Sequence, residues 1–158
     1  MIAIIIITLL TLKTTNNTDN GTIKIGAILP LTGNNSEWGE KPKNGIDFAT
    51  EEVNENKKMV EIIYEDSEGK SVKGVSAAQK LINVDKVQAL FCQLSDVCSA
   101  IAPIAEENKV VLFGFTSTPG FTKTGDYIFN AREESIDPGK KFGKFASSKY
   151  KKVAILYL

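Results

Sequence analysis

Residues 91–100, FCQLSDVCSA, decide how this chain is read. An apolar run at 87–91 (VQALF) enters the stretch, and an apolar-periodic run at 97–105 (VCSAIAPIA) leaves it. The first has the composition of a short buried strand; the second carries Val97, Ala100, Ile101, Ile104 and Ala105 at helical spacing. Between them stand a thiol, a hydroxyl, a carboxylate and a second thiol: Cys92, Ser95, Asp96 and Cys98. A strand that runs into a helix is half of a βα unit, so the question is whether the same passage recurs.

It does. Upstream, 23–29 (IKIGAIL) is a strand rich in β-branched residues, 30–39 is a loop, and Pro42 opens a helix with Ile46, Ala49 and Val53 on one face. Residues 60–64 (VEIIY) form the second strand, and 71–84 a helix with Val75, Ala78, Leu81 and Ile82 inward. Downstream, Pro103 is expected to break or kink the helix that follows FCQLSDVCSA. Residues 110–113 are the fourth strand, 114–126 (GFTSTPGFTKTGD) a loop, and 127–129 a short strand. A helix at 136–150 puts Phe142, Phe145 and Ala146 on one side, and 153–158 is a last strand. Alternating strands and helices define an α/β fold: an open parallel sheet with helices on both faces. Such sheets take ligands outside the carboxyl ends of their strands. The loops that matter are therefore LTGNNSEWGE, EDSEGK, CQLSD and GFTSTPG.

The 158 residues suffice for about one domain, and 42% apolar with 24% charged is an ordinary globular composition. Nineteen basic residues balance nineteen acidic ones, which argues against a nucleic-acid partner. The lysines at 140, 141, 144, 149, 151 and 152 read as a solvated helix face. The absence of histidine removes the commonest general base and the commonest metal ligand. Residues 1–12, MIAIIIITLLTL, are too short to span a bilayer and fit the apolar core of an export signal or a membrane anchor; a buried N-terminal strand is the alternative. Residues 13–21 are a polar linker.

The loops offer little to an enzyme. GAILPLTG lacks the lysine and hydroxyl of a phosphate-cradling loop, and no G-x-G-x-x-G follows the first strand. Glu65 and Asp66 read as a solvated turn with a helix cap. Without histidine, Ser95 and Cys98 lack the usual base for a nucleophile, and two cysteines six apart do not make a zinc site. Spacing leaves open whether Cys92 and Cys98 are joined or are two partly buried thiols. No catalytic residue, metal or cofactor is expected. What remains is binding: the helix start after CQLSD and the hydroxyl-rich Thr116, Ser117 and Thr118 suit a carboxylate, although Ser95 or Asp96 alone would more commonly be a cap.

In order along the chain, IKIGAILPLTGNNSEWGE, NGIDFATEEVNE, VEIIYEDSEGKSVKGVSAAQKLI and APIAEENKVVLFGFTSTPGFT resemble the branched-chain amino-acid-binding branch of the type I periplasmic substrate-binding proteins of ABC transporters. The resemblance implies two α/β lobes closing on a ligand, a membrane permease as partner, and an exported, periplasmic or extracellular location. It places the first lobe at 22–132 and the beginning of the second at 133–158, as in a fragment of a longer chain. It puts Ser95 and Asp96 in one wall of the cleft, Thr116, Ser117 and Thr118 in the adjoining wall, and Trp38 across the mouth. The family usually has a small hydroxyl residue where Asp96 stands. A carboxylate there repels a ligand carboxylate unless it faces the ammonium or a basic group. The same lobes serve as sensor ectodomains of receptors, which is the alternative role.

Overall fold

The computed structural model describes residues 21–155. The apolar segment at 1–12 and nearly all of the linker lie outside the described residues, as does the end of the strand expected at 153–158. The elements are β1 (Ile23–Leu29), α1 (Glu37–Asn54), β2 (Val60–Asp66), α2 (Ser71–Lys80) with a π turn at Leu81–Asp85, β3 (Ala89–Gln93), α3 (Ser95–Glu107), β4 (Val111–Phe115), a 3-10 turn at Phe121–Thr124, β5 (Ile128–Asn130) and α4 (Ile136–Lys149).

All five strands are parallel, in the order β2-β1-β3-β4-β5. Ile25 lies opposite both Ile62 and Ala89, so β1 is paired on both sides. The chain leaves β1 toward one edge and later returns to build toward the other. Between β1 and β3 the winding therefore reverses, which opens a crevice at their carboxyl ends.

One sheet face is fully packed. Ile28, Leu90, Cys92, Leu112 and Ile128 meet Ala77, Ala78 and Leu81 on one side and Val97, Ile101, Ala102 and Ala105 on the other. Gly74 permits this closeness of α2 and α3, since a Cβ there would stand 2.6 Å from Val97 Cγ1. Among the described residues, the opposite face carries α1 alone. Between that helix and the sheet lies an apolar cavity of about 390 Å³ lined by Ile25, Ile46, Val53, Ile62 and Phe113 among others. Phe113 and Phe129 on that face stay 44% and 47% exposed.

Several boundaries differ from the sequence expectation. Helix α1 begins at Glu37, not Pro42, because turn bonds from Ser36 N–H to Gly33 and from Gly39 and Glu40 N–H to Ser36 wind the chain early. Pro42 lies inside it. Helix α3 runs unbroken through Pro103; Ser99, whose carbonyl loses its donor there, is exposed to water. Strand β3 runs on to Gln93, so Cys92 and Gln93 belong to the sheet and not to the loop. In α4 only Ala146 is buried; Phe142 and Phe145, on the same side of the helix, are 62% and 50% exposed, because no element among the described residues packs on them. Residues 153–155 form no strand. No helix among the described residues is long and apolar enough to cross a membrane.

Candidate ligand-binding site

The site grows from the β1/β3 crevice. After β1, the loop holding LTGNNS is pinned from below. Asp66, at the end of neighbouring β2, accepts hydrogen bonds from the backbone N–H of Leu31 (2.9 Å), Thr32 (3.3 Å) and Glu68 (2.8 Å) and from the Thr32 hydroxyl. Partial burial works to raise its pKa; the Thr32 hydroxyl and the three N–H groups outweigh it and hold the carboxyl below its usual range. Asp66 is thus a brace between two loops. The cap expected of it is absent, since Lys70 starts α2 with no side-chain cap bond. The braced loop delivers Gly39 onto the chain at Pro30, where a Cβ would lie 2.2 Å from the Pro30 carbonyl oxygen. That contact seats the first turn of α1 and, on it, Trp38. The indole is 60% exposed and stands over the crevice from a helix, not from a loop.

After β3 the chain turns sharply. Leu94 takes φ 76° and ψ 130°, a backbone conformation that side chains other than glycine adopt only under strain. Flanking it, Cys92 and Cys98 are joined in a disulfide with Cα atoms 5.6 Å apart, which settles the alternative left open by their spacing. Both are fully buried. The turn brings Ser95 to the first position of α3, a helix whose N-terminus has no side-chain cap. The N–H groups of its first turn carry the positive end of the helix dipole, and Ser95 lines the cavity at the crevice.

Beneath Ser95 is a chain of hydroxyls. Thr116, 1% exposed at the end of β4, donates to Ser95 Oγ at 3.0 Å. With that proton spent, its 2.8 Å contact to Thr118 Oγ1 is donated by Thr118, whose N–H also reaches Thr116 Oγ1 at 3.0 Å. Ser95 receives a hydrogen bond and keeps its own proton to give. Asn130, on β5, holds Thr116 by a reciprocal pair: Thr116 N–H donates to Oδ1 (3.3 Å) and Nδ2 donates to the Thr116 carbonyl (2.9 Å).

The expected residues thus divide. Trp38 and Ser95 line one small cavity of about 140 Å³ together with Gln93, Leu94, Phe115 and Arg132. Thr116 and Thr118 support Ser95 from behind. Ser117 lines a neighbouring cavity with Arg132 and Ser135, and its carbonyl accepts the Ser135 N–H at 3.0 Å. Asp96 is exposed on the first turn of α3, outside the lining of these cavities; its carbonyl accepts the Ser71 hydroxyl at 3.1 Å. A larger cavity of about 660 Å³ opens beside the first, sharing Trp38, Gln93 and Phe115 with it and adding Ile46, Ala49 and Phe91. Sequence reasoning did not single out Gln93, Phe115 or Arg132. Arg132 had a signal: it is the only arginine in the chain. Its guanidinium lies 5.8 Å from the Phe115 ring centroid, beside Ser95.

An open parallel sheet, a reversal of winding between β1 and β3, and polar groups gathered at that reversal define a ligand-receiving α/β lobe. Residues 22–158 match the family model described as periplasmic binding protein, and the chain belongs to that family. It is 30% identical over 144 residues to a Leu/Ile/Val-binding protein homolog of Brucella abortus, a match that covers 85% of this chain and 38% of the relative. Among solved structures, the branched-chain amino acid transporter substrate-binding protein LivJ of Streptococcus pneumoniae, in complex with isoleucine, superposes with a TM-score of 0.72 at 26% identity, covering 81% of this chain and 38% of that one. An ABC-transporter solute-binding protein of Rhodopseudomonas palustris, in complex with 3,4-dihydroxybenzoic acid, superposes with a TM-score of 0.76 at 25% identity, covering 84% and 38%. The chain thus spans less than two fifths of the relatives it matches.

Proposed function

We propose that this chain forms one wall of the cleft of an ABC-transporter solute-binding protein, exported across the cytoplasmic membrane and delivering its solute to a membrane permease. Residues 22–132 make the first lobe, 133–158 begin the second, and 1–12 act as export signal or anchor. The solute is an amino acid or a similar small carboxylate. Ser95 carries this reading: its hydroxyl is fed by Thr116 and left free to donate, at an uncapped helix start. A carboxylate suits that spot, with the helix dipole and Arg132 adding positive potential. The relatives support it, since isoleucine and dihydroxybenzoic acid, the ligands of two of them, share a carboxyl group. Trp38 and Phe115 flank the body of the solute, Ser117 belongs to the adjoining wall with Thr116 and Thr118 supporting Ser95 from behind, and Asp96, outside these cavities, meets an ammonium or a cationic side chain only where the solute reaches past the first turn of α3. The relatives support a binding role, since they are solute-binding proteins and not enzymes.

Calorimetric titration of the protein made from its complete reading frame tests this. Ser95→Ala should weaken the best amino-acid or carboxylate ligand roughly ten- to a hundredfold, the loss of one charge-assisted hydrogen bond of about 1.5–3 kcal/mol. Asp96→Ser should move the preference from basic or polar toward aliphatic amino acids. Unchanged binding in both variants makes the loop a helix start and nothing more.

A further inference from the structure

Gln93 is the last residue of β3, 5% exposed, and its Oε1 is the one buried side-chain oxygen or nitrogen among the described residues without a hydrogen-bond partner. Its Nε2 donates to none of the described residues either. The side chain lines both cavities at the crevice, between Trp38 and Phe115. A buried amide oxygen without a partner is rare, because its desolvation goes uncompensated. Had the cavity evolved around an aliphatic side chain, a leucine or methionine at 93 would fill the same volume at no such cost. The rest of the larger cavity is mostly apolar, with Trp38, Phe91, Phe115 and Ile46, and Glu37 and Lys41 are the charged residues in its lining.

Building on the reading above, we propose that Gln93 is the specificity residue of the site, and that the solute is a small carboxylate whose apolar body carries a hydroxyl group. A hydroxyl gives its proton to Oε1 or accepts from Nε2, so either face of the amide finds a partner in a single group. The carboxyl end sits at Ser95 and the hydroxyl end at Gln93, with the aromatic walls against the body between them. A hydroxylated amino acid and a hydroxylated aromatic acid both satisfy this chemistry.

The test compares pairs that differ by one hydroxyl: tyrosine with phenylalanine, and 4-hydroxybenzoate with benzoate. Each is titrated into the protein from its complete reading frame and into its Gln93→Leu variant, with Gln93→Met as a second variant of the same length in case leucine perturbs folding. In the parent, the hydroxyl member of at least one pair should bind ten times or more tighter than its partner, and the pair that does so tells an amino acid from a free aromatic acid. Both variants should erase or invert that preference. The proposal is overturned if neither hydroxyl compound binds, if the parent shows no preference within a pair, or if the preference survives in both variants. Ser95→Ala separates this from the underlying reading. If it weakens both members of a pair alike, the carboxylate anchor stands whatever becomes of Gln93; if it weakens neither, the anchor itself is wrong.

Discussion

At Asp66 a single carboxylate organises two loops, and the energetics follow from its charge. Its hydrogen bonds from Thr32, Glu68 and Leu31 favour the ionised form and lower its folded-state pKa. The stability it contributes is therefore complete above its unfolded value of about 3.9 and is lost as pH falls through the lower folded value. Asp66→Asn should destabilise by about 1–2 kcal/mol at pH 7, allowing for partial solvent screening. Urea melts should show that gap closing as the pH approaches 2; a gap of constant size would mean that shape and not charge makes the brace. The sequence shows Asp66 only as one polar residue in EDSEGK, and a solvated cap is the common use of such a residue. Beyond the local bond from Glu68 N–H, its partners Leu31 and Thr32 lie more than thirty residues away, out of reach of local patterns. Gln93 was hidden for a related reason. A glutamine next to a loop reads as solvated until the strand is known to include it.

At the scale of elements, type was more legible than extent. Every strand and helix expected between 23 and 150 is present, because periods of two and near four survive in short windows. The boundaries moved where local chemistry was ambiguous: Pro42 looks like a helix opener, but hydrogen bonds from the preceding turn start α1 at Glu37. The β3–α3 junction holds a strained Leu94 between two bonded cysteines. Replacing both cysteines by alanine should lower stability by about 2 kcal/mol, the chain-entropy value for so short a loop. It should also speed amide exchange at residues 94–97 more than elsewhere in the sheet. A uniform change would show that the bond supports the domain generally and not the turn that presents Ser95.

At the scale of the molecule, the α/β class and the ligand-receiving edge were readable because alternation and handedness leave few topologies. The strand order was not, since which neighbour β3 chooses depends on packing across the whole sheet. Nor was the asymmetry of cover, which among the described residues is two helices on one face and one on the other. That asymmetry extends to α4, where Ala146 alone is buried and the described contacts to the lobe are few, the Ser135–Ser117 backbone bond among them. In the 158-residue chain, amides of Ile136–Lys149 should exchange orders of magnitude faster than those of Ile23–Leu29. Equal protection would mean that α4 is anchored by more than these contacts. The disulfide has a consequence of another kind. Neither sulfur meets solvent in the folded lobe, and exchange with an external thiol requires direct attack on sulfur. A reductant must wait for the domain to open, so its rate of action is set by the opening and not by its own strength. The oxidation state chosen while the chain folds is then kept for as long as it stays folded, and the pair acts as a record of where folding took place.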